Sequence, residues 1–124
     1  MVRPIPRKRL PNTVTHKYNF TNNGESRVVG FTRVIKYVKV EEHKVLKKSR
    51  EGKEIVGNAM LFYDYVTSKP SGISFKNRDL IVFNGKTYEI VDIDCLRADT
   101  NEPHHYEIML KWGSLLVMPK QVIG

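Results

Sequence analysis

A single cysteine, Cys95, has no second thiol in the 124-residue chain to pair with, so an intramolecular disulfide is excluded. Cys95 is expected to be a buried thiol in a protein suited to a reducing compartment. No apolar run reaches the roughly 18 residues a membrane span needs, so no membrane partner is expected. The leading MVRPIPRKRLP is basic but has no apolar stretch behind it, so it does not read as a secretory signal. Glycine-rich phosphate loops and nucleophile elbows are missing too. His104 and His105 are adjacent, and neighbours on a strand point to opposite faces, which argues against a shared metal. Asp92 and Asp94 share a face but lack a third ligand or an acid–base partner at a suggestive spacing, so a solvated strand face explains them. No enzyme, metal or cofactor is expected.

Cations are plentiful and unevenly placed. The formal net charge is +8. Residues 1–20 hold Arg3, Arg7, Lys8, Arg9 and Lys17 with no carboxylate, and the stretch HKVLKKSREGKE at 43–54 has five cations against Glu51 and Glu54. The remainder is neutral. Excess charge concentrated in two segments favours contact with a polyanion.

Periodicity points to a mainly β chain. Pro4, Pro6 and Pro11 leave residues 1–12 unable to form a helix or inner strand, so this is an extended basic arm, expected to order only on a neighbour. From Thr13 the alternation is strict, with Val14, His16, Tyr18 and Phe20 on one face. Asn22, Asn23 and Gly24 mark a turn. A second strand covers about 31–40, with Val34, Lys36, Val38 and Val40 sharing a face. A third covers about 56–66, with Ala59, Leu61, Tyr63 and Tyr65 opposing Met60 and Phe62. In LIVFNGKTYEIVDID, Asn84 and Gly85 suit a type I′ turn pairing Phe83 with Lys86 and Ile81 with Tyr88. Both faces of this hairpin are partly apolar, although a small barrel buries only one, so a subunit interface at Ile81, Phe83, Tyr88 and Ile90 is expected. After a loop at 98–103 the last strand puts Tyr106, Ile108, Leu110 and Trp112 in phase. Residues 113–124 form an apolar tail that no pattern assigns.

The fold class is therefore a small β-barrel or sandwich of about six strands: an arm at 1–12, one β domain at 13–112 and the tail at 113–124. The charged run at 43–54 lies between the second and third strands as a loop longer than a hairpin needs. On these features alone it is equally a partner-binding loop or a solvated tip.

IPRKRLPNTVTHK, MLFYDYVTSKP, DLIVFNGKTYEIVDID and PHHYEIML, in that order, together resemble the minor capsid protein family of tailed bacteriophages of Gram-positive hosts, over most of residues 5–110. The chain also looks like the head-completion, or stopper, class of connector proteins. That resemblance implies a ring of six or twelve copies in the virion neck, between the portal or adaptor and the tail-side connector, which retains double-stranded DNA and offers the tail a docking surface. It further implies that Lys44, Lys47, Lys48, Arg50 and Lys53 form a DNA-channel loop, with Arg3, Arg7, Lys8 and Arg9 on a docking arm. Rival readings are a tail-completion or terminator protein of the same neck region and an OB-like nucleic-acid-binding module stacking bases on Tyr63, Tyr65 and Tyr88.

Overall fold

The computed structural model describes residues 3–18, 21–23, 26–28, 30–48, 51–97 and 103–112. Phe20, Gly24, Arg50, most of the 98–103 loop and the 113–124 tail lie outside them. Six strands close into an antiparallel barrel: β1 (Asn12–Tyr18), β4 (Phe31–Glu41), β7 (Ala59–Asp64), β10 (Pro103–Lys111), β9 (Lys86–Arg97) and β8 (Leu80–Phe83), with β8 returning to β1. Two further ribbons stand apart from this sheet, β2 (Thr21–Asn23) with β3 (Ser26–Val28), and β5 (Val45–Lys48) with β6 (Glu54–Gly57).

Side-chain alternation decides what fills the barrel. Val14 and His16 of β1, Leu61 and Tyr63 of β7, Ile108 and Leu110 of β10, and Ile81, Tyr88 and Ile90 of the β8–β9 hairpin all point inward and are buried. The Asn84–Gly85 turn has φ of 54° and 76°, and the pairs Phe83–Lys86 and Ile81–Tyr88 form as the sequence predicts. Trp112, expected to continue the inward phase of β10, is instead exposed, just past the end of the strand.

β4 departs from its predicted phase. Val34 is 52 % exposed and Ile35 0 %, yet Val38 is also buried, so the inward face changes parity within one strand. The cause is a bulge: Tyr37 takes a left-handed φ of 61°, and the β1–β4 register slips between Asn12–Val38 and Thr13–Lys36. A second slip between Met109 and Leu110 on the β9 side shifts β9 so that Ile93 joins the core beyond Ile90.

The arm is not a free extension. Arg7–Arg9 form a single 3-10 turn between Pro6 and Pro11, and Leu10 is fully buried. The Ile5 amide donates to Asp64 Oδ2 (2.8 Å), His104 Nε2 meets the Arg3 carbonyl (2.7 Å), and the Arg7 guanidinium lies 4.3 Å from the Tyr37 ring centre. A cavity of about 250 Å³ between Ile5, Arg9, Leu10, Lys39, Phe62 and His105 marks where the arm crosses the barrel wall. The arm is therefore ordered on its own barrel, contrary to the expectation that it needs a neighbour. Asp64 fastens it, because the same buried carboxylate also accepts from the Val66 and Thr67 amides.

Candidate functional site

The charged run at 43–54 is not an irregular loop. Val45–Lys48 and Glu54–Gly57 pair as an antiparallel ribbon, with Leu46 opposite Val56 and Lys48 opposite Glu54. One face of the ribbon lies against the outside of the barrel. Gly57 passes so close to β10 that a Cβ there would sit 2.4 Å from Met109 Cγ and 3.0 Å from the Leu110 carbonyl oxygen, so the approach requires a glycine. This contact explains why Met109 is buried although its neighbours Ile108 and Leu110 take the inward positions.

Lys47 closes the same face. Its ammonium sits within hydrogen-bond reach of both Asp92 and Asp94 on β9. Burial alone would lower its pKa, but the hydrogen bonds and charges of the two carboxylates outweigh that and raise it. Of the predicted DNA-channel residues, Lys47 is therefore paired to β9, with its side chain 32 % exposed. The two aspartates, read from sequence as a solvated face, are its counter-ions. Lys44, Lys48 and Lys53 are exposed, and Arg50 lies outside the described residues. The outward face also carries Leu46 and Val56, 57 % and 37 % exposed, an apolar cross-strand pair beside the lysines.

The residues predicted as a subunit interface lie largely inside the barrel. Ile81, Tyr88 and Ile90 belong to the barrel core, and Phe83 packs partly buried against it. The Tyr88 hydroxyl donates to Glu42, and burial together with that carboxylate raises its pKa, while the bond to Tyr88 and nearby Lys86 lower that of Glu42. Tyr63 is equally internal: its hydroxyl donates to the Pro70 carbonyl and accepts from the Ile73 amide, and burial pushes its pKa up to about 12. Neither ring can stack on a base, which leaves only the half-buried Tyr65 of the platforms an OB-like reading needs. Cys95, expected to be buried, is partly exposed.

Two histidine arrangements were not legible in sequence. At the barrel end where β1 finishes and β4 and β8 begin, buried His16 bonds Asp79 Oδ2 through Nε2 (2.8 Å) and receives the Arg33 Nε hydrogen at Nδ1 (3.1 Å). Arginine only donates, so Nδ1 is the acceptor and the Nε2 hydrogen goes to Asp79. Burial lowers the His16 pKa despite that carboxylate. His104 and His105 do meet, against the expectation from strand alternation, with Nδ1 atoms 2.8 Å apart where the register slips between Pro103 and His105. His105 also faces Glu107, and His104 faces the arm. Among the described residues no group of three His, Cys, Asp or Glu side chains could hold a metal, and no helix is long and apolar enough to cross a membrane.

The described residues thus form a closed barrel with a core of packed aromatic and aliphatic side chains, an arm docked on its wall and two further two-stranded ribbons. The sequence matches the family model described as minor capsid protein over residues 13–110. The chain belongs to that family, and so is a structural protein of a phage particle. No curated protein and no solved structure matches it.

Proposed function

We propose that this protein is a head-completion protein, assembling as a ring in the virion neck between portal or adaptor and tail, where it helps retain packaged double-stranded DNA and supports tail docking. The observation that carries this reading is the β5–β6 ribbon: a cationic projection on a closed barrel, held at its base by Gly57 and Lys47, with Lys44, Lys48 and Lys53 exposed. Repeated around a ring, such a projection presents a positive collar that attracts phosphate without reading bases. Glu51 and Glu54 temper that attraction, which suits a gate that must release DNA. The reading implies no catalytic step.

The exposed Leu46–Val56 pair among the lysines also suits contact with protein, which keeps the tail-completion role in the same neck region as the second reading. A variant with Lys44, Lys48 and Lys53 all changed to Ser separates the two. Under the head-completion reading it incorporates normally and filled heads leak their genome. Full retention with failed tail attachment would shift the assignment to the tail side.

A further inference from the structure

At the barrel end described above, Arg33 is fixed on three sides. Its Nε donates to His16, its Nη2 donates to the Ser74 carbonyl (3.2 Å), and its guanidinium stacks 4.2 Å from the Tyr18 ring centre. All three contacts are to uncharged groups. No carboxylate of the described residues lies within ion-pair distance of this half-buried cation. Two of its five N–H donors are used internally, leaving three for something else.

Beside it opens a cleft of about 410 Å³ lined by Tyr18, Arg33, Gly72, Ile73, Ser74, Lys76 and Asp79. Asp79 also lines the cleft; it is buried, and its Oδ2 accepts from His16 and from the Lys76 amide (3.1 Å), which offsets part of its repulsion of an anion. The Lys76 side chain is exposed. The aromatic wall continues outward, since Tyr18 stacks on Phe31 with ring centres 5.6 Å apart and Phe31 is 58 % exposed.

We infer that this cleft is a binding site for a phosphate ester of the nucleotide type, with Arg33 as the pre-oriented anchor, Lys76 as the second cation and the Tyr18–Phe31 stack beside the sugar or base. An arginine held by its imidazole and carbonyl partners loses little rotamer freedom on meeting the anion, and its planar fork matches phosphate oxygens. Two cations suit a phosphate better than a lone carboxylate, and the cleft is larger than a carboxylate requires. The source of the phosphate is the DNA backbone or a free ester. The inference rests on the barrel end alone and stands or falls separately from the ribbon and the neck-ring reading.

The test is amide NMR of the full chain titrated with inorganic phosphate, with acetate, and with a short DNA duplex. Phosphate should shift the Ile73, Ser74 and Lys76 amides saturably, Lys76→Ala should weaken it severalfold, and Arg33→Lys should weaken it by about tenfold or more because the fork is lost. Lys76 is exposed, so its variant keeps the test decisive even if Arg33→Lys fails to fold. A duplex that competes with phosphate and loses affinity in these variants identifies DNA as the source, and a duplex indifferent to them identifies a free phosphate ester. The inference is overturned if phosphate up to about 50 mM, far above a millimolar dissociation constant, gives no saturable shift. It is equally overturned if acetate saturates the same amides as well as phosphate does, which would make the cleft a carboxylate pocket for a protein partner.

Discussion

Replacing Lys47 with Met keeps most of the aliphatic stem and removes the charge that ties the β5–β6 ribbon to β9. The pair with Asp92 joins side chains 32 % and 25 % exposed, and at the upper end of measured surface pairs it contributes about 1 kcal/mol. Asp94 is 53 % exposed, and solvent screening cuts its share to about 0.3 kcal/mol. Together, about 1–1.5 kcal/mol of docking is lost, a drop of roughly five- to twelvefold in the ratio of docked to undocked ribbon. Hydrogen exchange should therefore quicken by that factor at the β5 and β6 amides and stay unchanged in β7 and β10. The folded-state pKa of Lys47 is raised above the unfolded value, so its stabilisation is complete below about pH 10.5 and fades as pH rises through the folded pKa. Added salt should shrink the difference between variant and parent. Unchanged exchange in the ribbon, or a genome leak as large as that of the Lys44, Lys48 and Lys53 variant, would refute the tie to β9 and favour a channel role for Lys47.

Two further outcomes follow from buried polar groups. His16 has a folded-state pKa below the unfolded value of about 6.5, so the unfolded chain takes up its proton first and stability falls as pH drops below that value; thermal unfolding between pH 8 and 5 should show this, and His16→Gln should flatten the slope. Around that ring stand Asp79, Arg33, Tyr18 and Phe75, and an equal slope in the variant would assign the effect to other groups. Asp64→Ala strips the acceptor from the Ile5, Val66 and Thr67 amides, with an expected cost of about 2–4 kcal/mol. Trypsin should then cut after Arg7, Lys8 or Arg9 much sooner than in the parent, and equal protection would mean that buried Leu10 with the Arg3–His104 and Arg7–Tyr37 contacts holds the arm without Asp64.

The strands that could be read from sequence are those where one period runs unbroken. β1 and the Asn84–Gly85 hairpin appear with the predicted inward residues or pairings, because each is local and uninterrupted, whereas the single strand predicted over about 56–66 is two, since Glu54–Gly57 pairs with β5 and Ala59–Asp64 enters the barrel with Ala59, Leu61 and Tyr63 inward. β4 was legible as a strand but not in phase, since nothing local announces that Tyr37 will adopt a left-handed φ and exchange Val34 for Ile35 in the core. The hairpin's two apolar faces were seen correctly, but choosing the inward one requires the closed barrel. Charge misled for a related reason: Lys47 lies 45 residues from Asp92 along the chain, and no spacing rule joins them. The arm was misjudged because the arguments from proline exclude helices and inner strands, not a 3-10 turn set on a barrel wall. His16, Arg33 and Asp79 were likewise invisible as a group, being scattered over β1, β4 and the approach to β8.

The barrel closes on itself and shows no unpaired edge in its main sheet, but β5 and β6 pair only with each other, and such a ribbon exposes backbone donors and acceptors to any passing strand. Lys44, just before β5, and Lys48 at its end blunt that edge, since a second copy laid against it would bring like charges together. Like charge on the same lysines thus opposes ribbon-to-ribbon pairing between free copies of the chain.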